Sequence, residues 1–158
     1  MTALEVILRS VNLFATGVLT GTTVVFQLSV VPIMRSWSDE RSLGLHRDFT
    51  VIADPDIFIK PAGAISLLSA ILAVVLGHDH RAAAVALTIA GIVAFAGVAI
   101  ISEAINVPVN RWAAKWPGDA VPADYGERRN RWERAHLWRT ILAAAGFGCY
   151  IVGALEAT

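Results

Sequence analysis

The sequence is poor in cysteine and in charged residues, and both shortages exclude classes of protein. Cys149 is the only cysteine among the 158 residues, so the chain cannot form an internal disulfide. Charged residues make up 16% of the chain and they cancel, with thirteen Lys and Arg against thirteen Asp and Glu. No field of one sign is available to attract nucleic acid, and we exclude nucleic-acid-binding proteins.

Apolar residues take the place of the missing charge. They make up 56% of the chain, and the mean hydropathy of +0.59 lies outside the usual range of soluble domains. A membrane-spanning helix needs about 20 mainly apolar residues. Four stretches meet this requirement: residues 4–31, 57–77, 82–105 and 132–155. The sequence predicts an all-α, integral membrane four-helix bundle, with residues 1–158 forming a single transmembrane domain in contact with the lipid bilayer.

The connections between the spans predict an orientation in the membrane. Two longer polar loops, residues 33–53 and 107–131, fall on one side, whereas the short connection 78–81 and both termini fall on the other. Eleven of the thirteen Lys and Arg lie on the long-loop side, and Arg9 and Arg81 lie opposite. The positive-inside rule therefore places the long loops in the cytoplasm and both termini outside. We expect the membrane to be the cell inner membrane. Ten of the thirteen acidic residues share that side, so a catalytic or interaction surface could produce the same bias.

The first span carries a stripe of polar residues at spacings of three or four. Its members are Arg9, Asn12, Thr16, Thr20, Thr23 and Gln27. On a helix these positions share one face, which we expect to point into the bundle rather than toward lipid. Proline lacks a backbone N–H, and we expect Pro32 to end this helix.

The densest group of polar side chains closes the third span and opens the fourth. Three have helical spacing on each: Glu103, Asn106 and Asn110 on the third, and Trp132, His136 and Arg139 on the fourth. Each set can occupy one helix face, and the two faces can meet. Pro108 weakens the first part of this prediction, because a proline could turn Asn110 out of register.

Ionisable residues at membrane depth are costly unless they are paired, which makes Glu103, His136 and Arg139 functional candidates. An ion pair between Arg139 and Glu103 is an open structural alternative. His46, in the first long loop, lies on the same side of the membrane. With Glu103 and His136 it would complete two histidines and a carboxylate, the ligands of many mononuclear non-haem iron sites. The cofactor is therefore unknown: either none, or a single iron or copper ion bound by these three residues.

The order of the four spans, with Asn106-x-Pro108-x-Asn110 after the third and Trp132-x3-His136-x2-Arg139 entering the fourth, resembles the anthrone oxygenase-like family of small membrane proteins. The resemblance covers most of the chain. Characterised members that share this pattern oxidise anthrones to anthraquinones with molecular oxygen. Carried over by position, the resemblance implicates Asn106, Asn110, Trp132, His136 and Arg139.

These observations lead to the hypothesis of a membrane-embedded monooxygenase acting on a small apolar aromatic, anthrone-like substrate. His136 would act as the base, and Arg139 with Asn106 or Asn110 would hold the developing oxyanion. The alternative is a non-catalytic membrane partner or assembly subunit whose polar helix end is a structural or docking network. Small-residue positions such as Gly91, Gly97 and Gly146 allow either packing within the chain or a homo-oligomer.

Overall fold

The computed structural model describes residues 2–52, 55–77, 81–118 and 120–157, and in this part of the chain it contains helices and no strand. Four helices are long and apolar enough to cross a membrane: Ala3–Ser36, Ile57–Val75, Ala82–Ala114 and Tyr125–Glu156. They confirm the predicted all-α, membrane-spanning four-helix bundle. Of the predicted short connection 78–81, all but Arg81 lies outside the described residues.

Five helices position the functional residues. They are α1 (Ala3–Ser36), α2 (Asp39–Ile52), α3 (Pro55–Val75), α4 (Ala82–Ala114) and α5 (Tyr125–Glu156). A capping box begins α1, because the Thr2 hydroxyl accepts a hydrogen bond from the Glu5 backbone N–H and the Glu5 carboxylate accepts one from the Thr2 N–H.

The prediction that Pro32 ends the first helix is wrong. A five-residue π turn, Phe26–Val30, precedes Val31 and Pro32, and α1 continues to Ser36. The wider turn changes the hydrogen-bonding register just before the proline, so the missing N–H and the proline ring fit without breaking the helix.

The same device extends α4 beyond its predicted end at residue 105. A π turn at Ser102–Asn106 precedes Val107 and Pro108, and the helix then runs on to Ala114. Both π turns are therefore followed directly by a Val-Pro pair. Because the helix continues through Pro108, Asn106 and Asn110 both stay on it.

The two long connections are largely helical rather than loops, which corrects the prediction for these segments. Residues Asp39–Ile52 form α2, and α5 begins at Tyr125, about two turns before the predicted residue 132. The Ser42 hydroxyl and the Tyr125 hydroxyl lie 2.6 Å apart, and Arg129 binds Asp39 at 2.7 Å. These contacts fix α2 against the start of α5, over one end of the bundle.

Small residues let α4 and α5 pack closely. A Cβ atom added at Gly91 would lie 2.5 Å from the Tyr150 ring, and one added at Gly146 would lie 2.9 Å from the Ala94 side chain. These two glycines therefore serve packing within the chain. The polar stripe of α1 faces the interior as predicted, since Arg9, Asn12, Thr16 and Thr20 are all buried.

Candidate active site

A cavity of about 480 Å³ lies among α1, α3, α4 and α5, and α2 contributes to its wall. Its volume falls within the range of small-molecule binding sites. Much of the wall is apolar, including Leu19, Phe26, Phe49, Ile59, Leu67 and Phe95. All of the residues selected from the sequence also line it: His46, Glu103, Asn106, Asn110, Trp132, His136 and Arg139. The fold thus brings together candidates from three separate segments of the chain.

His136 is fully buried, and both of its ring nitrogens are engaged. Nδ1 lies 3.0 Å from Nε and 2.7 Å from a terminal nitrogen of Arg139. Arginine can only donate, so Nδ1 must be the unprotonated acceptor. Nε2 then carries the hydrogen and donates to the Thr23 carbonyl at 3.2 Å. The contacts therefore hold His136 as one neutral tautomer.

Arg139 keeps its charge on the cavity wall. Besides His136, it contacts the Ser102 hydroxyl at 3.3 Å, and that hydroxyl donates to the Val98 carbonyl at 2.7 Å. Among the described residues, no carboxylate lies within ion-pair distance of the guanidinium, and Glu103 instead lies 3.5 Å from Lys60. A guanidinium whose neighbours are neutral, in a largely apolar cavity, is suited to binding an anionic oxygen.

Asn110 connects three helices through a single atom. Its Oδ1 accepts from Trp132 Nε1 at 2.8 Å and from His46 Nε2 at 2.8 Å. The indole N–H can only donate, which identifies the Asn110 atom as the carbonyl oxygen and makes His46 Nε2 a donor as well. Asn110 thereby orients Trp132 from α5 and His46 from α2.

His46 is neutral at physiological pH. Burial lowers the pKa of its imidazole below the ordinary 6.5, and the hydrogen bond that His46 donates to Asn110 offsets this only in part. Its ring meets the edge of the Trp132 ring, with the centroids 5.0 Å apart. The Nδ1 atom is buried, and it has no hydrogen-bond partner in the described part of the chain.

Asn106 offers an acceptor at the cavity. Its Nδ2 donates to the Trp132 backbone carbonyl at 3.2 Å, and only 1% of the residue is exposed. Within the described ranges, its Oδ1 is buried without a hydrogen-bond partner. Such an atom is normally satisfied in a native protein, so a bound donor is expected there.

The family model for anthrone oxygenase matches residues 53–149 of the chain. The chain belongs to the anthrone oxygenase family. No curated protein and no solved structure matches it. In this anthrone oxygenase family member, the matched region contains Asn106, Asn110, Trp132, His136 and Arg139, whereas His46 lies before it.

The residues predicted as metal ligands do not form a metal site in this arrangement. In the described ranges, no three His, Cys, Asp or Glu side chains are grouped to hold a metal ion. Glu103 faces Lys60, His136 uses both nitrogens for Arg139 and Thr23, and His46 Nε2 donates to Asn110. In this arrangement these three side chains therefore do not fit a mononuclear metal.

The sequence did not mark several cavity residues as functional, because Phe26 is an apolar side chain like many others and Ser102 and Lys60 belong to no spaced polar pattern. Phe26 lies with its ring centroid 5.6 Å from His136 and 4.7 Å from Phe49. Ser102, which contacts Arg139, directly precedes Glu103, and Lys60 carries the charge opposite Glu103. The π turns could not be read from the sequence either, and they carry Phe26 and Ser102.

Proposed function

We propose that this member of the anthrone oxygenase family is a membrane-embedded monooxygenase that oxidises a small apolar aromatic, anthrone-like substrate with molecular oxygen. The observation that carries the proposal is the Arg139 guanidinium, which lies on the wall of a largely apolar cavity with a neutral histidine and a serine as its partners. The site thus provides a positive charge for an oxyanion and apolar walls for aromatic rings.

The first chemical step is removal of a proton from the acidic C–H group between the aromatic rings. The electron pair left behind spreads onto the carbonyl oxygen, which becomes an oxyanion that Arg139 can bind. In the structure Arg139 donates hydrogen bonds to Nδ1 of His136, so this atom is not free to accept a proton. When the guanidinium turns to the substrate oxygen, Nδ1 becomes free to accept the proton, so that binding of the oxyanion and release of the base are coupled.

The oxidation balances with oxygen as the oxidant. The carbanion transfers electrons to O2, and a carbon–oxygen bond forms at the carbon that lost the proton, giving a hydroperoxide once the distal oxygen is protonated. Loss of the second proton from that carbon and cleavage of the O–O bond give a carbonyl and water. One O2 is consumed for each quinone formed.

The two asparagines take different roles. Asn106 has an unfilled buried acceptor and can accept a hydrogen bond from a phenolic hydroxyl of the substrate. The Oδ1 of Asn110 is already used by Trp132 and His46, so Asn110 acts by positioning those side chains. Trp132 lies parallel to His136, with the ring centroids 5.1 Å apart, and supplies an aromatic wall beside the base.

We propose that the protein lies in the cell inner membrane. The distribution of basic residues supports an orientation with α2 and the start of α5 on the cytoplasmic side. A substrate that dissolves in the bilayer would reach the cavity directly from the lipid.

Oxygen uptake by the purified protein tests the proposed reaction. With a dihydroxyanthrone as substrate in lipid nanodiscs, we expect oxygen uptake above the rate of empty nanodiscs, matched one to one by quinone absorbance. Uptake no faster than with empty nanodiscs would overturn the proposal. That result would favour the non-catalytic role as a membrane partner or assembly subunit.

A further inference from the structure

The wall of the cavity is incomplete on one side. Among the described residues that line it, six are exposed: Thr22, Phe58, Lys60, Ala64, Ala99 and Glu103. All but Thr22 belong to α3 or α4. The cavity therefore opens mainly between these two helices.

This opening faces lipid. Both helices are among those long and apolar enough to cross the membrane, and Ala64 and Ala99 lie inside the respective spans. Small side chains leave room there, and a Cβ atom added at the neighbouring Gly63 would meet nothing within 4 Å. Phe58 is 57% exposed and adds an apolar edge. An apolar molecule dissolved in the bilayer can reach this gap without crossing water.

An ion pair crosses the opening. Lys60 Nζ on α3 lies 3.5 Å from Glu103 Oε1 on α4, and the two side chains are 43% and 56% exposed. Both side chains lie near the predicted ends of their spans, so their charged groups can reach the polar membrane interface. Exposed pairs of this length contribute little to stability there, so this one can separate while the helices stay in place. The pair is thus a weak connection at the side of the cavity where a ligand can pass.

The Lys60–Glu103 pair lies next to the residues proposed for catalysis. Glu103 lies in the π turn Ser102–Asn106, whose Ser102 contacts Arg139 and whose Asn106 presents an unfilled acceptor. A polar group that passes Lys60 and Glu103 therefore meets Asn106 and Arg139 next.

We propose that ligand enters laterally from the bilayer between α3 and α4, and that the Lys60–Glu103 ion pair gates this opening and determines its specificity. The opening selects amphiphiles whose apolar body passes Phe58, Ala64 and Ala99 while a single polar edge passes the two charges. The identity of the amphiphile as an anthrone-like molecule rests on the proposed function, whereas the route does not.

Bridging the two gate positions tests the route. In a Cys149→Ser background, Lys60→Cys and Glu103→Cys are joined by a reducible bifunctional thiol reagent in nanodiscs. Binding of a dihydroxyanthrone is followed without oxygen, so that no turnover is needed. We expect the bridge to lower the association rate of the ligand roughly tenfold or more, because it keeps the opening between α3 and α4 closed. Reduction of the bridge should restore the original rate.

The matched controls are the two single-cysteine variants treated with the same reagent, which carry an adduct but no bridge. Each of these variants should bind at nearly the same rate before and after treatment with the reagent. Equal rates for bridged and unbridged protein would overturn the route. Slowing by the single adducts as strong as by the bridge would overturn the gate. Oxygen uptake with an ineffective bridge rejects the route and its gate but leaves the oxygenase, whereas an effective bridge without oxygen uptake rejects the oxygenase alone.

A second measurement does not depend on the ligand. A maleimide attached to a lipid acyl chain should label Ala64→Cys at the opening, and it should leave the fully buried Ala84→Cys unmodified. Failure to label Ala64→Cys would show that lipid does not reach this gap and would overturn the route even if no anthrone binds.

Discussion

Arg139 donates two hydrogen bonds to a single atom of His136, with Nε at 3.0 Å and a terminal nitrogen at 2.7 Å from Nδ1. The two residues lie three positions apart on α5, so one turn of helix sets the geometry. A carboxylate at this position would orient the guanidinium and neutralise it. A neutral imidazole orients it and leaves the charge available to a ligand.

The charge of Arg139 should be required for turnover. We expect Arg139→Gln to lower the rate of anthrone oxidation roughly 100-fold or more, as loss of an oxyanion-stabilising donor does elsewhere. Arg139→Lys should recover little, because an ammonium cannot reproduce the planar fork. Oxygen uptake measures both effects. Arg134→Gln, an exposed arginine on the same helix, is the control, and equal rates for the two glutamine variants would contradict the role of Arg139.

The double acceptor at Asn110 should matter for stability as well as for activity. Asn110→Ala leaves the N–H groups of Trp132 and His46 without their acceptor, and each unsatisfied donor costs about 1–3 kcal/mol. Asn110→Asp keeps an acceptor oxygen at the same place. Thermal unfolding in detergent should therefore show a large loss for the alanine variant and a smaller one for the aspartate variant. The reverse order would contradict the role of the Asn110 oxygen as the shared acceptor.

The sequence was sufficient to predict the helices that long apolar runs produce and the side chains that helical spacing aligns. Trp132, His136 and Arg139 share one wall of the cavity as their spacing required. The features that the sequence did not predict depend on contacts between distant residues or on the hydrogen-bonding register of a helix. The π turns before Pro32 and Pro108 depend on small shifts in hydrogen bonding, and α2 is too polar for its apolar pattern to stand out. The partner of Glu103 depended on how α3 packs, which no local pattern reports.

Burial of His46 predicts an acid-dependent loss of stability. The folded state holds its pKa below the ordinary 6.5, so the unfolded chain takes up the proton first as the pH falls. The contribution is complete above the unfolded pKa and is lost as the pH falls through 6.5 toward the folded pKa. We expect the difference in Tm between about pH 8 and about pH 5 to shrink in His46→Gln. An unchanged difference would mean that other groups dominate the acid response.

Measuring bound metal tests whether Glu103 and His136 bind a metal ion or make the contacts seen in the structure. Because Glu103 faces Lys60 and both nitrogens of His136 are engaged, we expect iron and copper content to be the same in the wild type, Glu103→Ala and His136→Ala. Elemental analysis of the detergent-purified proteins provides the measurement. Metal bound near one per chain, and lost in both variants, would show that the side chains rearrange into the metal site predicted from the sequence.

Close packing at Gly91 links helix contact to the shape of the cavity. A methyl group at this position would lie 2.5 to 2.8 Å from three atoms of the Tyr150 ring, and that ring stacks on Phe95 with the centroids 5.7 Å apart. Tyr150 cannot retreat without pushing Phe95, which lines the cavity. Overpacking of this kind costs about 1–3 kcal/mol, more than the gain of about 1 kcal/mol from alanine helix propensity.

Gly91→Ala should therefore lower both the Tm in detergent and the rate of anthrone oxidation. Gly148→Ala is the matched control, because it makes the same substitution in a helix where the added Cβ meets nothing within 4 Å. That variant should keep its activity and its Tm, or gain slightly in Tm from the better helix former. If Gly91→Ala were as stable as Gly148→Ala, α4 and α5 would have to be further apart than the Gly91–Tyr150 contact requires, and the cavity wall at Phe95 would lose its support.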